Sequence, residues 1–234
     1  KFFSAGEEFF EIMKDRFLYE LHFHTKESSP CAVTPAAEMV RAYKKRGYTG
    51  VIVTDHFVNC NRYFHTEQPW EEKIERYLQG FREAKAEGDK IGLDVFFGWE
   101  YTFRETMDDF VTFGVAPEFL LRHPELCSLP LAEYTALVRS YGGMVWHAHP
   151  FRRAPWLGDK KIFPRAFPEV DGMEILSGRM NHEEANRQAL CWAEEHALPG
   201  FAGSDAHDTD DISAGVLLSR RAESTEDLVS LLKA

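Results

Sequence analysis

The sequence predicts an α/β barrel, and three observations carry that prediction. Short apolar runs rich in β-branched and aromatic residues alternate along the chain with amphipathic helical stretches. A His, Asp or Glu follows at least five of those runs, at Leu21-His22-Phe23-His24-Thr25, Thr54-Asp55-His56, Gly98-Trp99-Glu100, His147-Ala148-His149-Pro150 and Gly203-Ser204-Asp205-Ala206-His207. The length of 234 residues suits one large domain, read here as spanning 1–234. A barrel gathers side chains from the carboxyl ends of many strands at one mouth, whereas a doubly wound open sheet gathers them at a single crevice. Candidates after five successive strands therefore favour the barrel.

Taken in order, residues 7–15 read as a short amphipathic helix with Phe9, Phe10 and Met13 on one side. A strand over 17–24 follows. Side chains alternate along a strand, so His22 and His24 are expected to project together while Leu21 and Phe23 pack on the other face. Two imidazoles on one face make a metal-binding edge. The segment 28–31 is a loop, after which Thr34 as N-cap and Pro35 at the first helical position open a helix through Lys45 that Gly47 stops. Val51-Ile52-Val53 reads as a strand buried on both faces and ends at Asp55-His56. A polar loop over 59–69 leads into a charged helix over 70–87, with Ile74, Tyr77, Leu78, Phe81 and Ala84 along one face and Gly88 as its stop. Val95-Phe96-Phe97 delivers Glu100, and Phe110-Val111-Thr112-Phe113 is a strand preceded by Asp108 and Asp109. A helix over 130–141 stops at Gly142-Gly143, and Met144-Val145-Trp146 leads into His147-Ala148-His149-Pro150. Residues 151–169 form a long irregular connection of the kind kept for a binding loop. A sixth strand over 172–176, a helix over 182–196, a seventh strand at 201–203, a short run at 216–218 and a helix opened by Ser224 complete the chain.

Composition narrows the function class. With 44% hydrophobic and 28% charged residues, the chain is an ordinary soluble globular protein, and its net charge of −11 disfavours nucleic acid or an anionic membrane as partner. No apolar run approaches the ~20 residues of a membrane span. Residues 1–8 lack the basic-then-apolar layout of a secretory signal. Cys31, Cys60, Cys127 and Cys191 are scattered without CxxC spacing, which fits a reducing cytoplasm better than a disulfide framework.

In order along the chain, these motifs resemble those of the PHP (polymerase and histidinol phosphatase) family of metal-dependent phosphoesterases. His22-Phe23-His24-Thr25 is similar to its HxHT opening, Thr54-Asp55-His56 to its TDH, Glu100 to its bridging Glu, His149-Pro150 to its HP, and Gly203-Ser204-Asp205-Ala206-His207 to its closing GSDxH. The resemblance implies a distorted (β/α)7 TIM-like barrel with two or three divalent ions. His22, His24, Glu100 and Asp205 would hold the first, Glu100 with His149 the second, and His56 with His207 the third. Mixed imidazole and carboxylate shells suit Zn, Mn or Fe. The implied reaction is hydrolysis of a small phosphorylated metabolite or nucleotide by a metal-activated water, with Glu100, Asp205 and His207 as the catalytic residues.

A phosphomonoester also needs cationic contacts beyond the ions. Arg152 and Arg153, directly after the HP motif, and Arg179, in the turn after the sixth strand, are the candidates because a guanidinium binds phosphate as a fork. The chain departs from the family at two places. Asp109 stands where many relatives place a His for the second ion, and the segment with Cys31 stands where many place an Asp or His for the third. His147 is expected to support a ligand, Glu174 to orient one or pair with an Arg, Phe151 and Trp156 to line a substrate pocket, and His65, His123 and His196 to be solvated. A nuclease or phosphodiesterase, a C–N hydrolase of the amidohydrolase type and a non-catalytic metal-binding barrel are the competing readings.

Overall fold

The computed structural model of the protein describes residues 16–65, 67–153, 157–158, 163–179 and 183–233. The helix expected over 7–15 and the pocket residue Trp156 lie outside them. Eight strands form one continuous mixed sheet: β1 (Phe17–Phe23), β2 (Gly50–Val53), β3 (Asp94–Phe103), β4 (Asp108–Phe113), β5 (Met144–Ala148), β6 (Gly172–Ser177), β7 (Gly200–Gly203) and β8 (Val216–Leu218). Their order is β7-β6-β5-β4-β3-β2-β1-β8. β1, β2 and β3 run parallel, as do β5, β6 and β7, while β4 is antiparallel to both neighbours and β8 is antiparallel to β1. The sheet nearly closes into a barrel. Just past β7 the chain returns to β1, where the His24 amide donates to the Ala206 carbonyl at 2.8 Å.

The antiparallel β4 departs from a strict strand–helix repeat and explains one feature of the sequence. Because β4 runs the other way, its first residues Asp108 and Asp109 lie at the same mouth as the carboxyl ends of the parallel strands. Acidic residues before a strand and ligands after strands thus meet.

The helices are α1 (Ala36–Lys45), α2 (Trp70–Tyr77), α3 (Gln79–Ile91), α4 (Glu118–Arg122), α5 (Leu131–Ser140), α6 (Glu183–Glu195) and α7 (Thr225–Lys233). The expected single helix over 70–87 is two helices that break at Leu78 and run on to Ile91. Gly88 is not the stop. It lies inside α3 because a Cβ there would come within 2.5 Å of Val95 Cγ2, and the left-handed residue that ends the helix is Gly92, with φ 71°. Thr34 does not cap α1 either. Pro35 is the extended cap residue, and the Glu27 carboxylate accepts the Ala36 amide at 3.0 Å.

Tyr19, Leu21, Ile52, Val111, Phe113, Trp146 and Phe201 fill the barrel interior, closed at the end opposite the mouth by Leu228 and Val229 of α7. A second cluster packs β1 and β2 against α1 and α3 through Phe23, Met39, Val40, Tyr43, Val51, Val53 and Ala84. Leu21 and Phe23 therefore do not share a face as simple alternation requires. Between the pairs Glu20–Val51 and Phe23–Val53, Leu21 and His22 of β1 oppose the single Ile52 of β2, a bulge that adds one residue to the strand. Without it, His22 would fall on the outer face with Glu20. With it, Leu21 packs inward and His22 is still aimed at the mouth. No helix among the described residues is long and apolar enough to cross a membrane.

Candidate metal centre

The mouth of the barrel carries a buried cluster of imidazoles and carboxylates. His22 is the last but one residue of β1 and His24 follows the strand, His56 follows β2, Glu100 lies in β3, Asp109 at the start of β4, His149 after β5, and Asp205 and His207 after β7. Glu100 stands at the centre. Its Oε1 is 3.0 Å from His149 Nε2 and 3.4 Å from His22 Nε2, while its Oε2 is 2.7 Å from His56 Nδ1 and 3.6 Å from His24 Nε2. One carboxylate thus presents each oxygen to a different pair of imidazoles. Asp205 Oδ1 lies 3.1 Å from His24 Nε2, 3.6 Å from His22 Nε2 and 3.6 Å from His207 Nδ1.

Two of these ligands sit on backbone that L-residues seldom adopt, His149 at φ 26° and Asp205 at φ 48°. Such strain costs roughly 1–3 kcal/mol per residue and persists where the surroundings over-determine it. Here the surroundings are hydrogen bonds. The His149 amide donates to Glu174 Oε2 at 2.8 Å, and the Asp205 carbonyl lies 2.9 Å from His207 Nδ1. The turn at His149 also separates it from His147, whose ring stacks on Phe110 and whose Nδ1 accepts the Arg165 amide at 3.2 Å.

Partners around the cluster set the ring orientations. Glu174 Oε1 is 3.1 Å from His22 Nδ1, so Glu174 supports two ligands, a choice that its isolated position in the sequence left open. Ser29 Oγ is 3.2 Å from His24 Nδ1 and donates to Asp55 Oδ1 at 2.6 Å, while the Thr25 amide and hydroxyl donate to the two Asp55 oxygens at 2.6 and 2.7 Å. Asp55 of the TDH motif therefore ties the HxHT turn to the exit of β2. Burial carries its carboxyl up to about 6 despite those donors.

The electrostatics are those of a cation site. Burial would raise Glu100, yet the cationic His56 and His22 hold it well below the usual carboxylate range, and His22 with a hydrogen bond from His24 does the same for Asp205. Burial would lower His22 and His56, but Glu174, Asp205 and Glu100 raise the first and Glu100 the second. His24 is the exception, driven down by burial and then by His207 and His56.

Divalent ions fit this donor set. Among the described residues, His22 Nε2 and Glu100 Oε2 are buried without a hydrogen-bond partner, and they face the centre of the cluster. Ligand atoms lie within 4.8 Å of one another in four groups: His22 with His24 and Asp205, Glu100 with Asp109 and His149, His24 with His56 and His207, and His22 with His149 and Glu174. The first three bring together residues that the motifs assign to the three ion positions, although Glu100 stands outside the first group and His24 also joins His56 and His207.

A cavity of about 370 Å³ opens beside the cluster, with His56, Asp109, Asp205, His207, Arg152 and Arg179 in its wall. Arg152 Nη2 donates to Asp109 Oδ2 at 2.5 Å, and Thr102 Oγ1 donates to Asp109 Oδ1 at 2.6 Å. The Arg152 fork is thereby anchored at the cavity wall. Arg153 is exposed and is not among the residues that line it. Cys31 also lines the cavity. Burial would push its thiol up, but the neighbouring His207 and His56 bring it down to about 6. Of the three histidines expected to be solvated, His123 instead packs against Phe119 and Tyr141.

Comparison with known proteins places the fold. Residues 183–234, which carry Asp205 and His207, match the family model described as PHP-associated. An inferred metal-dependent phosphoesterase from Bifidobacterium adolescentis superposes with TM-score 0.58 at 17% identity, over 92% of this chain and 95% of that one. A two-domain protein from Bacteroides vulgatus, containing a predicted PHP-like metal-dependent phosphoesterase, gives TM-score 0.65 at 14% identity, over 93% of this chain and 63% of its own. An amidohydrolase from Chromobacterium violaceum, with bound sulfate and no metal, gives 0.56 at 16% identity, over 85% and 90%. No curated protein sequence matches the chain. Fold and site together define a barrel with a histidine- and carboxylate-lined mouth that can bind metals. More particularly, the fold is that of the PHP-like phosphoesterases, and the PHP resemblance drawn from the motifs is matched by the C-terminal segment and by these structures.

Proposed function

We propose that this chain is a metal-dependent phosphoesterase that hydrolyses a small phosphorylated metabolite or nucleotide. The observation that carries this reading is Glu100, which offers one oxygen to His22 and His149 and the other to His24 and His56 beneath a cavity bearing Arg152 and Arg179. His22, His24, Glu100 and Asp205 would hold the first ion, Glu100, His149 and Asp109 the second, and His56 with His207 the third. When bound, two or three ions of Zn, Mn or Fe supply an acidified water and neutralise phosphoryl oxygens as charge builds.

The chain's own residues do the rest. Glu100 and Asp205 hold the imidazoles in register, Glu174 fixes His22, and the fork of Arg152, steadied by Asp109, binds the phosphoryl group together with Arg179 of the same cavity wall. With its Nδ1 committed to the Asp205 carbonyl, His207 keeps Nε2 as the atom that ligates or carries a proton toward the leaving oxygen. The unpaired Cys31, Cys60, Cys127 and Cys191 support a reducing cytoplasm as its compartment.

The test is release of inorganic phosphate from a panel of phosphorylated metabolites with Mn, Fe and Zn supplied in turn, beside a phosphodiester and a single-stranded oligonucleotide. Metal-dependent turnover of a monoester is expected. Efficient cleavage of the oligonucleotide with no monoester turned over would replace this reading with a nuclease.

A further inference from the structure

Arg152 and Arg179 line the same cavity, but they are held there differently. Arg152 has a side-chain anchor, since its Nη2 donates to Asp109. Arg179 is exposed and no side chain among the described residues holds its guanidinium, so its aim is set by the backbone that carries it. That backbone is the Ser177-Gly178-Arg179 turn at the end of β6. β5 pairs with β6 only at Gly172 and Met173, because β5 stops at Ala148 and turns away at His149. Past Met173, β6 keeps a strand partner on its β7 side alone, where Ser177 is in register with Gly203. Asn186, in the first turn of α6, stands in for the missing strand. Its Oδ1 accepts the Ser177 amide at 3.1 Å and its Nδ2 donates to the Ser177 carbonyl at 3.3 Å, the pairing of one acceptor and one donor that a neighbouring strand offers. On the β7 side the Gly178 amide donates to the Gly203 carbonyl at 2.8 Å, and a Cβ on Gly178 would collide with Ser213 Oγ and lie 3.3 Å from Ser204 Cα. The two residues before Arg179 are thus held by separate partners.

We propose that Asn186 is the positioning residue of Arg179, its carboxamide fixing the turn that directs the guanidinium at the phosphoryl group. The inference rests on the phosphoesterase reading above, in which Arg179 binds that group. Without the clamp, Ser177 loses both partners that Asn186 supplies, Gly178 and Arg179 move with it, and the long side chain spreads over rotamers that miss the cavity. A guanidinium that must be ordered on binding gives back part of what its charge-assisted hydrogen bonds contribute. Misplacement by about 1 Å can cost as much as about 100-fold even when the change is remote from the reacting atoms.

The experiment is calorimetric binding of inorganic phosphate to the metal-loaded full chain, with ion content measured on each variant. Arg179→Ala removes a charge-assisted contact and should raise the phosphate Kd about tenfold to a hundredfold. Asn186→Ala should raise it about tenfold with ion content unchanged. The double variant Asn186→Ala/Arg179→Ala should bind no more weakly than Arg179→Ala, because the clamp then has nothing to aim. In Asn186→Ala/Arg152→Ala the two factors should multiply, since Arg152 has its own anchor. If the alanine variant does not fold, Asn186→Asp carries the same cycle, keeping the shape and the acceptor for the Ser177 amide while losing the donor. Factors that multiply in the pair with Arg179, or a wild-type Kd in Asn186→Ala beside a weakened Arg179→Ala, overturn the role of Asn186 and leave the phosphoesterase reading standing. A wild-type Kd in Arg179→Ala overturns the contact of Arg179 and the clamp with it. Failure of the metal-loaded wild type to bind phosphate overturns the phosphoesterase reading as well.

Discussion

Glu100 concentrates the chemistry of the site in one side chain, and the energetic cost of losing it should exceed that of any neighbour. Because its two oxygens serve different imidazole pairs, Glu100→Ala removes a donor from more than one ion position. Metal analysis should show lost ions, and kcat/KM should fall more than about 100-fold, beyond the 10- to 100-fold range of an orienting partner such as Glu174 in Glu174→Gln. Equal losses in the two variants would count against a bridging role. Arg152 and Asp109 separate binding from ligation. Losing a charge-assisted hydrogen bond costs about 1.5–3 kcal/mol, so Arg152→Ala should raise KM about tenfold to a hundredfold with kcat and metal content little changed. Asp109→Ala should raise KM similarly and also lower metal occupancy, since the same carboxylate anchors Arg152 and stands with Glu100 and His149. Unchanged metal content would reduce Asp109 to an anchor.

At the scale of elements, much was legible because the signals are local. Apolar runs such as Val51-Ile52-Val53 announce strands, and ligands one or two residues beyond them announce the mouth. What was not legible depends on contacts across strands. The bulge in β1 that turns both Leu21 and His22 inward is a matter of register with β2, and the sequence 17–24 reads as plain alternation without it. The left-handed turn at His149 depends on Glu174, 25 residues away. Gly88 looks like a helix stop in the sequence because a glycine gives the same signal whether it ends a helix or makes room for Val95. Gly203 shows how such close approaches bear on the site. A Cβ there would lie 2.6 Å from His22 Cβ and 2.9 Å from Glu174 Oε1, so Gly203→Ala must push β7 away from β1 or His22 off its partner. Overpacking of this kind costs roughly 1–3 kcal/mol. The variant should melt at lower temperature without metal and recover less of the wild-type stabilisation when metal is added, measured by thermal unfolding in both conditions.

For the whole molecule, the weak point of the barrel is the seam where β7 returns to β1, and a buried carboxylate closes it. Glu20 Oε1 accepts the amides of Leu21, His22 and Ser204 at 3.0, 2.9 and 2.9 Å, and Oε2 accepts the Tyr43 hydroxyl at 3.0 Å. One side chain thereby joins the strand that bears His22 and leads to His24, the turn bearing Asp205 and His207, and helix α1. Nothing in the sequence marked it, because Ser204 is 184 positions away and a glutamate in a strand otherwise reads as a solvated residue. Burial raises its pKa from 4.5 to about 7, against the lowering effect of its donors at Ser204, His22 and Tyr43. A carboxyl that holds its proton more tightly when folded contributes stability that is fully present below about pH 4.5 and is lost as pH rises toward about 7. At about 1.4 kcal/mol per pH unit, that loss is about 3 kcal/mol across the window. Glu20→Gln keeps an acceptor for the amides and has no proton to lose. The urea unfolding free energy of the wild type, taken relative to that of Glu20→Gln in chelator, should therefore fall by about 3 kcal/mol between pH 4.5 and about pH 8, with the titrations of the ligand histidines common to both chains and so cancelling. A difference that stays constant over that range would mean that Glu20 titrates as a solvated carboxylate, and the seam would then have to be held by the backbone bonds at His24 and Ala206 alone.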